Sequence, residues 1–570
     1  MNGSQKLPFF YVWTIERSVS FIFVTIMNRI VSYLFIAVIA ALLFFHSLGR
    51  VPLFDWDEIN FAESAREMIE TGNYMQVQIN YEPFWEKPPL FFWMQVAAMK
   101  VFGVNEFAAR LPNALCGIAT LLILFGIGKR LHNERFAFWW VLIYAGTFLP
   151  HLYFKSGIID PWFNLFIFLG IYFLSRFLSA KEERQAFMTH LILSGLFTGI
   201  AILTKGPVAA LIVLLSYGLF LLFNRGKGFT SIKYYLIWGL VVLLVTMIWF
   251  GLEIAQHGWW FVNEFITYQV RLFKTKDAGH GGFLLYHFVV VLIGCFPASL
   301  LIFRYKNQIH ENKHQQYFRM FMIASLIVIL VLFTIVKTKI VHYSSFTYLP
   351  IGYLAASTVY GLVNRTAQLK GWQKFGLLFL GIIWSILFIA LPLIGNNIDW
   401  IKPLLIKDAF AMGNIEANVE WNYFLMIPGV LFLAAVIVST IWLQQKKFQK
   451  AIFLLLIACI GAMQVLLTLF TPRIEKYSQH AAIEFYESLQ GKDVYIKTLG
   501  YKSYAQYFYT RIKPDLRKEA KDENWLLTGN VDKPTYFISK NTFEKEVMSK
   551  HADKLEIVGR KNGFVFYKRK

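Results

Sequence analysis

Six places in the chain set ionisable or hydroxyl-bearing side chains at the edges of apolar runs. They are "DWDE" at 55–58, "FWEKPP" at 84–89, "IIDPWF" at 158–163, "LTKGPVAA" at 203–210, Arg271 in "YQVRLF", and "KTKIVHY" at 337–343. Proline is well tolerated in a helix's first turn, where its missing N–H would be unpaired anyway. Pro88 and Pro89 therefore predict a helix beginning just after Glu86 and Lys87. In the same way Asp160 is expected at an N-cap with Pro161 at N1, and the chain is expected to break at Lys205-Gly206 before Pro207 starts the next helix. A helix N-terminus offers unpaired N–H groups and a partial positive charge, so a lysine beside one makes a place for an anion such as phosphate. On this reading Lys87 holds a phosphate and Glu86 orients it.

Each of these residues also has a plainer reading. Asp is among the favoured helix caps, which would account for Asp160 alone. Lysines at the end of an apolar run commonly snorkel to the membrane surface, which would account for Lys205 and Lys337. Asp55, Asp57 and Glu58 could form a solvated acidic turn, and Glu58 is placed to cap a helix beginning near Ile59. His257, His280 and His287 match no familiar metal-ligand spacing. Cys116, Cys295 and Cys459 lie singly inside apolar runs and read as small core hydrophobes.

The elements that must position these residues are membrane helices. The 570 residues are 56% hydrophobic and only 16% charged, too few charges for a water-soluble chain of this length. The formal charge of +21 is scattered in short clusters between apolar runs, so it reads as membrane topology and not as a nucleic-acid face. Apolar runs long enough to span begin near Ile30, Arg110, Phe136, Asp160, Thr189, Pro207, Tyr234, Leu284, Phe318, Val341, Phe375, Trp421 and Ala451, which predicts thirteen spans. Six connections are rich in Lys and Arg, at 129–135, 180–184, 224–228, 304–319, 364–374 and 444–450, and they are every second connection. The positive-inside rule places all six in the cytoplasm. Residues 49–109, 154–160, 204–206, 253–283, 337–340, 395–420 and the tail after Phe470 then lie outside, and the three helix starts fall on that one face, with Arg271, Lys337, Lys339 and Tyr343 on its rim.

Residues 1–29 are expected to form a cytoplasmic or interfacial segment, with Met27 an alternative start to Met1. The first outer loop, 49–109, is acidic. "EINFAESAREMIETG" has helical spacing with a glycine stop, and "PLFFWMQVAAMKVFG" is short for a crossing, so both are expected to lie along the membrane surface. The tail, 471–570, turns Lys-rich and loses its apolar runs. It reads as a small α/β domain ending in a hairpin around Asn562-Gly563.

In their order, "DWDEINFAESAREMIETGNY", "FWEKPPLFFW", "GIIDPW", "LTKGPVA", the loop arginine and "KTKIVHYSSFTYLPIGYLAA" resemble the polyprenyl-phosphate-sugar glycosyltransferases of the protein O-mannosyltransferase superfamily, above all the bacterial aminoarabinose transferases that modify lipid A. The resemblance is carried by residues 50–350. It implies a polytopic α-helical GT-C fold over 30–470, with a catalytic loop at 49–109 and the tail as an outer α/β domain. It also implies transfer of a sugar, an aminoarabinose-like pentose or a hexose, from undecaprenyl phosphate to a periplasmic-side acceptor such as lipid A, by an inverting displacement in the bacterial inner membrane. Carried over by position, Asp57 resembles the catalytic aspartate. Lys87, Lys205, Arg271 and Tyr343 resemble the groups that hold the donor phosphate, and Asp160, with Glu86, matches further acidic positions of the cavity; Glu58 and Lys339 are expected to line it. No covalently bound cofactor is implied, a divalent metal is left open, and a monomer is expected. After the arginine, where relatives often carry a His-rich stretch with Pro-Trp, this chain has "GHGGFLLYHF", which leaves the acceptor open.

A protein O-mannosyltransferase-like enzyme is the nearest alternative, and a lipid or solute transporter is the rival from another class. Transporters place ionisable residues near the bilayer midplane, whereas here they gather at one rim. A sensory or structural protein would leave the ordered Asp, Glu-Lys and Lys-Gly-Pro motifs without a purpose. The topology is tested by fusion: a phosphatase joined after Lys570 is expected to be active and a cytoplasmic reporter at the same place silent. The opposite pattern would divide the proposed site between two compartments.

Overall fold

The computed structural model describes residues 29–275, 281–303, 312–514 and 517–570. The N-terminal segment 1–28 with its two candidate start methionines, His280, and the first half of the basic 304–319 connection lie outside the described residues. Each of the thirteen apolar runs contains helix. Among the described residues nine helices are long and apolar enough to cross a membrane, and Ile30–Phe45, Leu90–Phe102 and Val208–Phe223 are shorter apolar helices.

Two expected spans are broken. The run from Phe136 divides into Glu134–Ala145 and Phe148–Tyr153 at Gly146-Thr147. The run from Leu284 is helical over Tyr286–Gly294 and resumes after Pro297 as a 3-10 turn, Ala298–Leu301. The breaks face each other. The Phe148 N–H donates to the Phe296 carbonyl at 3.4 Å, and the Phe148 ring packs edge-on against Trp384 with centroids 4.5 Å apart. An apolar run marks burial equally well in lipid or in protein, so run length alone does not separate a crossing from a broken internal helix.

The helix Asp57–Thr71 ends at Gly72, whose φ of 69° makes the left-handed stop the spacing predicts. It does not lie exposed on a membrane surface. Glu58 through Met68 are all buried, because the tail domain packs over the helix. The Tyr509 hydroxyl accepts from the Leu53 N–H at 2.7 Å, and Arg66 donates to the Ile512 carbonyl at 3.0 Å. Glu58, Glu63 and Glu67 are therefore not solvated, whereas Asp55 and Glu70 are exposed and Asp57 is partly so. Arg66 binds Glu63 through two 2.7 Å hydrogen bonds, and the two oxygens of Glu67 accept from the N–H groups of Asn80 and Tyr81. Helix Leu90–Phe102 fits its interfacial expectation better, since Val101 and Phe102 at its end are exposed.

Glu58 acts as a clasp, not as the cap its position suggests. Its carboxylate meets the Arg110 guanidinium at 2.7 and 3.0 Å and accepts from the N–H groups of Phe54 and Gly157. Arg110 donates as well to the carbonyls of Leu48, Val51 and Pro52, which ties the first helix's exit to the helix Glu106–Leu131. Burial alone would raise the Glu58 carboxyl, but Arg110 holds it below the usual carboxylate range.

The tail forms a four-stranded sheet. Tyr495–Leu499 runs parallel to Thr535–Lys540, which pairs antiparallel with Phe564–Arg569, and Leu555–Lys561 lies on the far edge. The last two strands are the expected hairpin, with Asn562 (φ 47°) and Gly563 (φ 80°) in its turn. Cys116, Cys295 and Cys459 are free and buried.

Glu67 gives the packed loop a pH signature. Burial, and then the charge of Glu63, push its carboxyl well above the usual range. The folded protein thus binds this proton more tightly than the unfolded chain. Its stabilisation is complete below the ordinary glutamate value of about 4.3 and is lost as pH rises through the raised folded value. Glu67→Gln gives up one acceptor and starts less stable, but has no proton to lose. The unfolding temperature of wild type is therefore expected to fall towards that of Glu67→Gln as pH is raised. A gap that stays constant across the pH range would mean that Glu67 is charged throughout.

Candidate active site

A cavity of about 440 Å³ lies where the acidic loop, the prolyl helix starts and the "KTKIVHY" segment meet. It gathers Asp57, Glu58, Glu86, Lys87, Asp160, Lys205 and Tyr343 from positions up to 286 residues apart in sequence, and their neighbours include His342 and Tyr268. Much of the remaining lining is apolar: Val208, Leu211 and Ile212 come from helix Val208–Phe223, and Ile329, Leu332 and Phe333 from helix Lys313–Ile335.

Asp160 is the first residue of helix Asp160–Glu182, with Pro161 following, and it makes no capping hydrogen bond. Its Oδ1 instead accepts from Lys205 Nζ at 2.6 Å and from the Ser345 hydroxyl at 3.4 Å, so the plain reading as a cap fails. Lys205 is the last residue of helix Met188–Lys205, and the next helix begins at Val208. The expected break is there, but the lysine stands at a helix end and not at a start. Lys205 does not snorkel. Its side chain is only 15% exposed, and its ammonium lies 5.6 Å from the Phe163 ring and 5.5 Å from the Tyr343 ring. Gly206, with φ 111°, lets Phe265 approach so closely that a Cβ would come within 2.6 Å of its ring. That contact draws in the helix Trp260–Lys274, which carries Tyr268 and Arg271.

Asp57 opens its own helix, and its Oδ2 lies 3.3 Å from His342 Nε2. Asp160, Asp57, Lys205 and Lys87 are all charged neighbours of His342, which makes it the centre of the site's charges. Sequence reading passed over this histidine. Its signal was present, as a polar residue inside the quoted "KTKIVHY" between the last lysine and Tyr343, but a single histidine has no spacing partner.

Helix Leu90–Phe102 begins directly after Pro88-Pro89, as predicted. Lys87 Nζ stands 3.8 Å from Glu86 Oε2 and 5.0 Å from the Tyr268 ring centroid, and the Arg271 guanidinium lies 5.0 Å from the same ring. One tyrosine thus holds two cations in register. Arg271 is exposed and does not line the cavity itself.

Two expected site residues have structural duties. Glu58 touches the cavity, but its oxygens are occupied by Arg110 and backbone N–H groups. Lys339 is buried outside the lining and donates at 2.7 Å to the carbonyls of Phe333, Thr334 and Val336, closing the C-terminus of helix Lys313–Ile335. His257 pairs with Glu253 at 3.0 Å, and His287 is buried apart from it. Among the described residues no three His, Cys, Asp or Glu side chains come together to hold a metal ion.

Such a constellation can grip an anion with ammonium and guanidinium groups, accept a proton on a carboxylate, and seat an aliphatic chain along its apolar wall. Comparison with known proteins points the same way. The family described as dolichyl-phosphate-mannose-protein mannosyltransferase matches residues 86–250, which carry the Glu-Lys-Pro-Pro, Asp-Pro and Lys-Gly-Pro motifs. The undecaprenyl phosphate-alpha-4-amino-4-deoxy-L-arabinose arabinosyl transferase of Shewanella sediminis is 26% identical over 337 residues, 58% of this chain and 60% of that protein. The transferase of the same name from Pectobacterium atrosepticum is 24% identical over 71% of this chain and 75% of its own length. The chain thus spans less than two thirds of the Shewanella protein. In three dimensions it matches the crystal structure of ArnT from Cupriavidus metallidurans bound to undecaprenyl phosphate with a TM-score of 0.73 and 18% identity, over 95% of this chain and 98% of that one. The apo ArnT structure matches with a TM-score of 0.70. The chain is a membrane protein of the GT-C fold, similar in sequence to these arabinosyl transferases and, over nearly its whole length, similar in structure to ArnT.

Proposed function

We propose that the chain is a membrane glycosyltransferase that moves an aminoarabinose-like sugar from undecaprenyl phosphate to an acceptor such as lipid A. It acts as a monomer on the periplasmic side of the bacterial inner membrane. In this reading residues 30–470 form the transferase body and 471–570 a periplasmic domain laid over the catalytic loop. The observation that carries it is that one cavity is lined both by Lys87, Lys205 and Asp57 and by aliphatic side chains of helices Val208–Phe223 and Lys313–Ile335, which matches a ligand that joins a phosphate to a polyprenyl chain.

The lipid phosphate leaves as the anomeric C–O bond breaks. Lys87 and Arg271, aligned on Tyr268, stabilise the charge it gains. Lys205 does the same from the other side, held by Asp160. An acceptor hydroxyl is a poor nucleophile near neutral pH, and Asp57 takes its proton as the new bond forms, a role typically contributing 10²–10⁴-fold. An acceptor phosphate is already anionic, and Asp57 then orients it. His342, 3.3 Å away, fixes the direction of the Asp57 carboxylate. A single displacement inverts the anomeric centre. The match of residues 86–250 to protein mannosyltransferases favours a second reading, in which the acceptor is a protein hydroxyl. Mass spectrometry of envelope lipids and glycoproteins from cells with and without the gene separates the two.

Removing a charged phosphate contact costs about 1.5–3 kcal/mol. Lys87→Ala, Lys205→Ala and Arg271→Ala are each expected to weaken undecaprenyl phosphate binding by about tenfold or more. Lys339→Ala should lower the unfolding temperature and leave that affinity alone, which titration of the four purified variants reads directly. Unchanged affinity in the first three would return those cations to a structural role.

Asp57→Asn keeps the size of the side chain and removes its charge and basicity. Transfer of a labelled sugar is expected to fall by about 10²–10⁴, with donor binding and thermal stability near wild type, while Asp55→Asn does much less. Full activity in Asp57→Asn would move the search for the base to Asp160 or Glu86.

A further inference from the structure

A second cavity, of about 410 Å³, lies between the sheet domain and the catalytic loop, lined on one side by Asn80 and Tyr81 and on the other by residues from Gly491 to Lys533. That volume falls in the usual range for small-molecule sites, about 300–1,000 Å³. Among the described residues, seven of its lining side chains are Lys or Arg, and one, Asp493, is acidic. Three of the cations face carboxylates: Arg517 meets Asp532 at 3.0 Å, Lys533 meets Asp493 at 3.0 Å, and Lys521 meets Glu82. Lys492, Lys497, Arg511 and Lys513 meet no carboxylate among the described residues. A recess with this excess of positive charge concentrates anions, and phosphate oxygens are what clustered guanidinium and ammonium groups bind best. The remaining lining includes Asn80 and the rings of Tyr81, Tyr495 and Tyr507, polar and planar groups of the kind that contact a sugar ring.

Its placement narrows the ligand further. Arg511 donates to the Val104 carbonyl at 2.8 Å, just beyond helix Leu90–Phe102, whose end exposes Val101 and Phe102. The cavity therefore stands beside an exposed apolar segment of the kind that suits a membrane surface. Its floor is also part of the catalytic loop. Glu67 fixes the N–H groups of Asn80 and Tyr81, the Tyr81 hydroxyl donates to the Ile512 carbonyl at 2.5 Å, and five residues on from Tyr81 the chain reaches Glu86 and Lys87.

We propose that this cavity is an acceptor-docking site that binds the phosphorylated saccharide headgroup of a membrane-anchored glycolipid. The assignment of that headgroup to the acceptor rests on the proposed transferase function. Bound there, the headgroup sits on the same rigid loop that presents Asp57 and Lys87, while its acyl chains remain in the bilayer.

The test uses the full chain in nanodiscs, comparing wild type with the double variant Lys492→Glu/Lys513→Glu, whose positions are exposed and lie outside the active-site cavity. Three probes are titrated: glucosamine 1-phosphate, inorganic phosphate, and lipid A as a competitor. Wild type is expected to bind glucosamine 1-phosphate at least tenfold more tightly than inorganic phosphate, and lipid A should displace it. The double variant should lose at least tenfold of that affinity while its undecaprenyl phosphate binding stays unchanged. In the transfer assay its KM for acceptor should rise about tenfold with kcat held. Equal binding by wild type and variant, or no preference for the sugar phosphate over inorganic phosphate, would overturn the site. Failure of lipid A to compete would overturn its assignment to a lipid headgroup. If wild type transfers no sugar, the transferase reading fails while the binding measurements still decide whether the cavity takes a phosphosaccharide.

Discussion

The ion pair between Glu58 and Arg110 is the constraint on which the active-site geometry depends. Both side chains are withdrawn from water, and losing one partner of such a pair costs about 3–5 kcal/mol because the other charge is left buried alone. The pair also binds three carbonyls at the exit of the first helix and two N–H groups from separate segments, so the loop has little freedom to slide. Asp57 is the next residue along. Once Glu58 is fixed on Arg110, the helix that Asp57 opens can start in only one place, and the Asp57 carboxylate is turned towards His342 and the cavity. A neighbouring residue with no direct chemistry thus sets the direction of the one that has it.

The lysines show how partners, more than position, decide what a cation does. Lys339 and Lys205 both lie near span ends and would read alike as interfacial anchors. Lys339 saturates its three donors on three helix-terminal carbonyls, so nothing remains for a ligand. Lys205 spends one strong contact on Asp160, and its other donors face a space bounded by aromatic rings. Asp160 offsets the cost of holding that ammonium away from water when the site is empty. A phosphate arriving beside it therefore meets a cation already oriented, and less entropy is lost on binding than with a free side chain.

Much of this was legible in the sequence, and the misses have physical causes. Proline and glycine restrict the backbone locally, so the start after Pro89, the break at Lys205-Gly206, the stop at Gly72 and the Asn562-Gly563 turn could all be read one segment at a time. Helix ends marked Glu86, Lys87, Asp160 and Lys205, the family resemblance pointed to Asp57 and Tyr343, and these six, with Glu58, line one cavity. What required tertiary information was harder. Apolar composition could not show that the runs from Phe136 and Leu284 break and pack on each other. The polar face of helix Asp57–Thr71 resembled a solvated surface, because the domain that covers it comes more than four hundred residues later. His342 has no repeat or spacing to announce it, and its importance comes from four charges that only the fold brings near.

Both cavities are lined in part by the same loop, the inner one by Asp57, Glu86 and Lys87 and the outer one by Asn80 and Tyr81, and on the proposed reading each takes a different lipid. The inner one combines a few cations with a long aliphatic wall, which suits one phosphate attached to a single extended chain. The outer one sets seven cations and three tyrosines among its described lining residues beside the aliphatic Val494, Ile496 and Ile512, which on the proposed reading suits a phosphosugar whose acyl chains stay elsewhere. Glu67 and Tyr81 tie the outer cavity's floor to the segment that ends at Lys87, so ordering one side of the loop restricts the other. On the proposed reading the donor is held by its phosphate and its chain, and the acceptor by its phosphosugar. The proposed transfer then gains from orientation, because the loop between the two sites is already fixed by the buried carboxylates of Glu58 and Glu67.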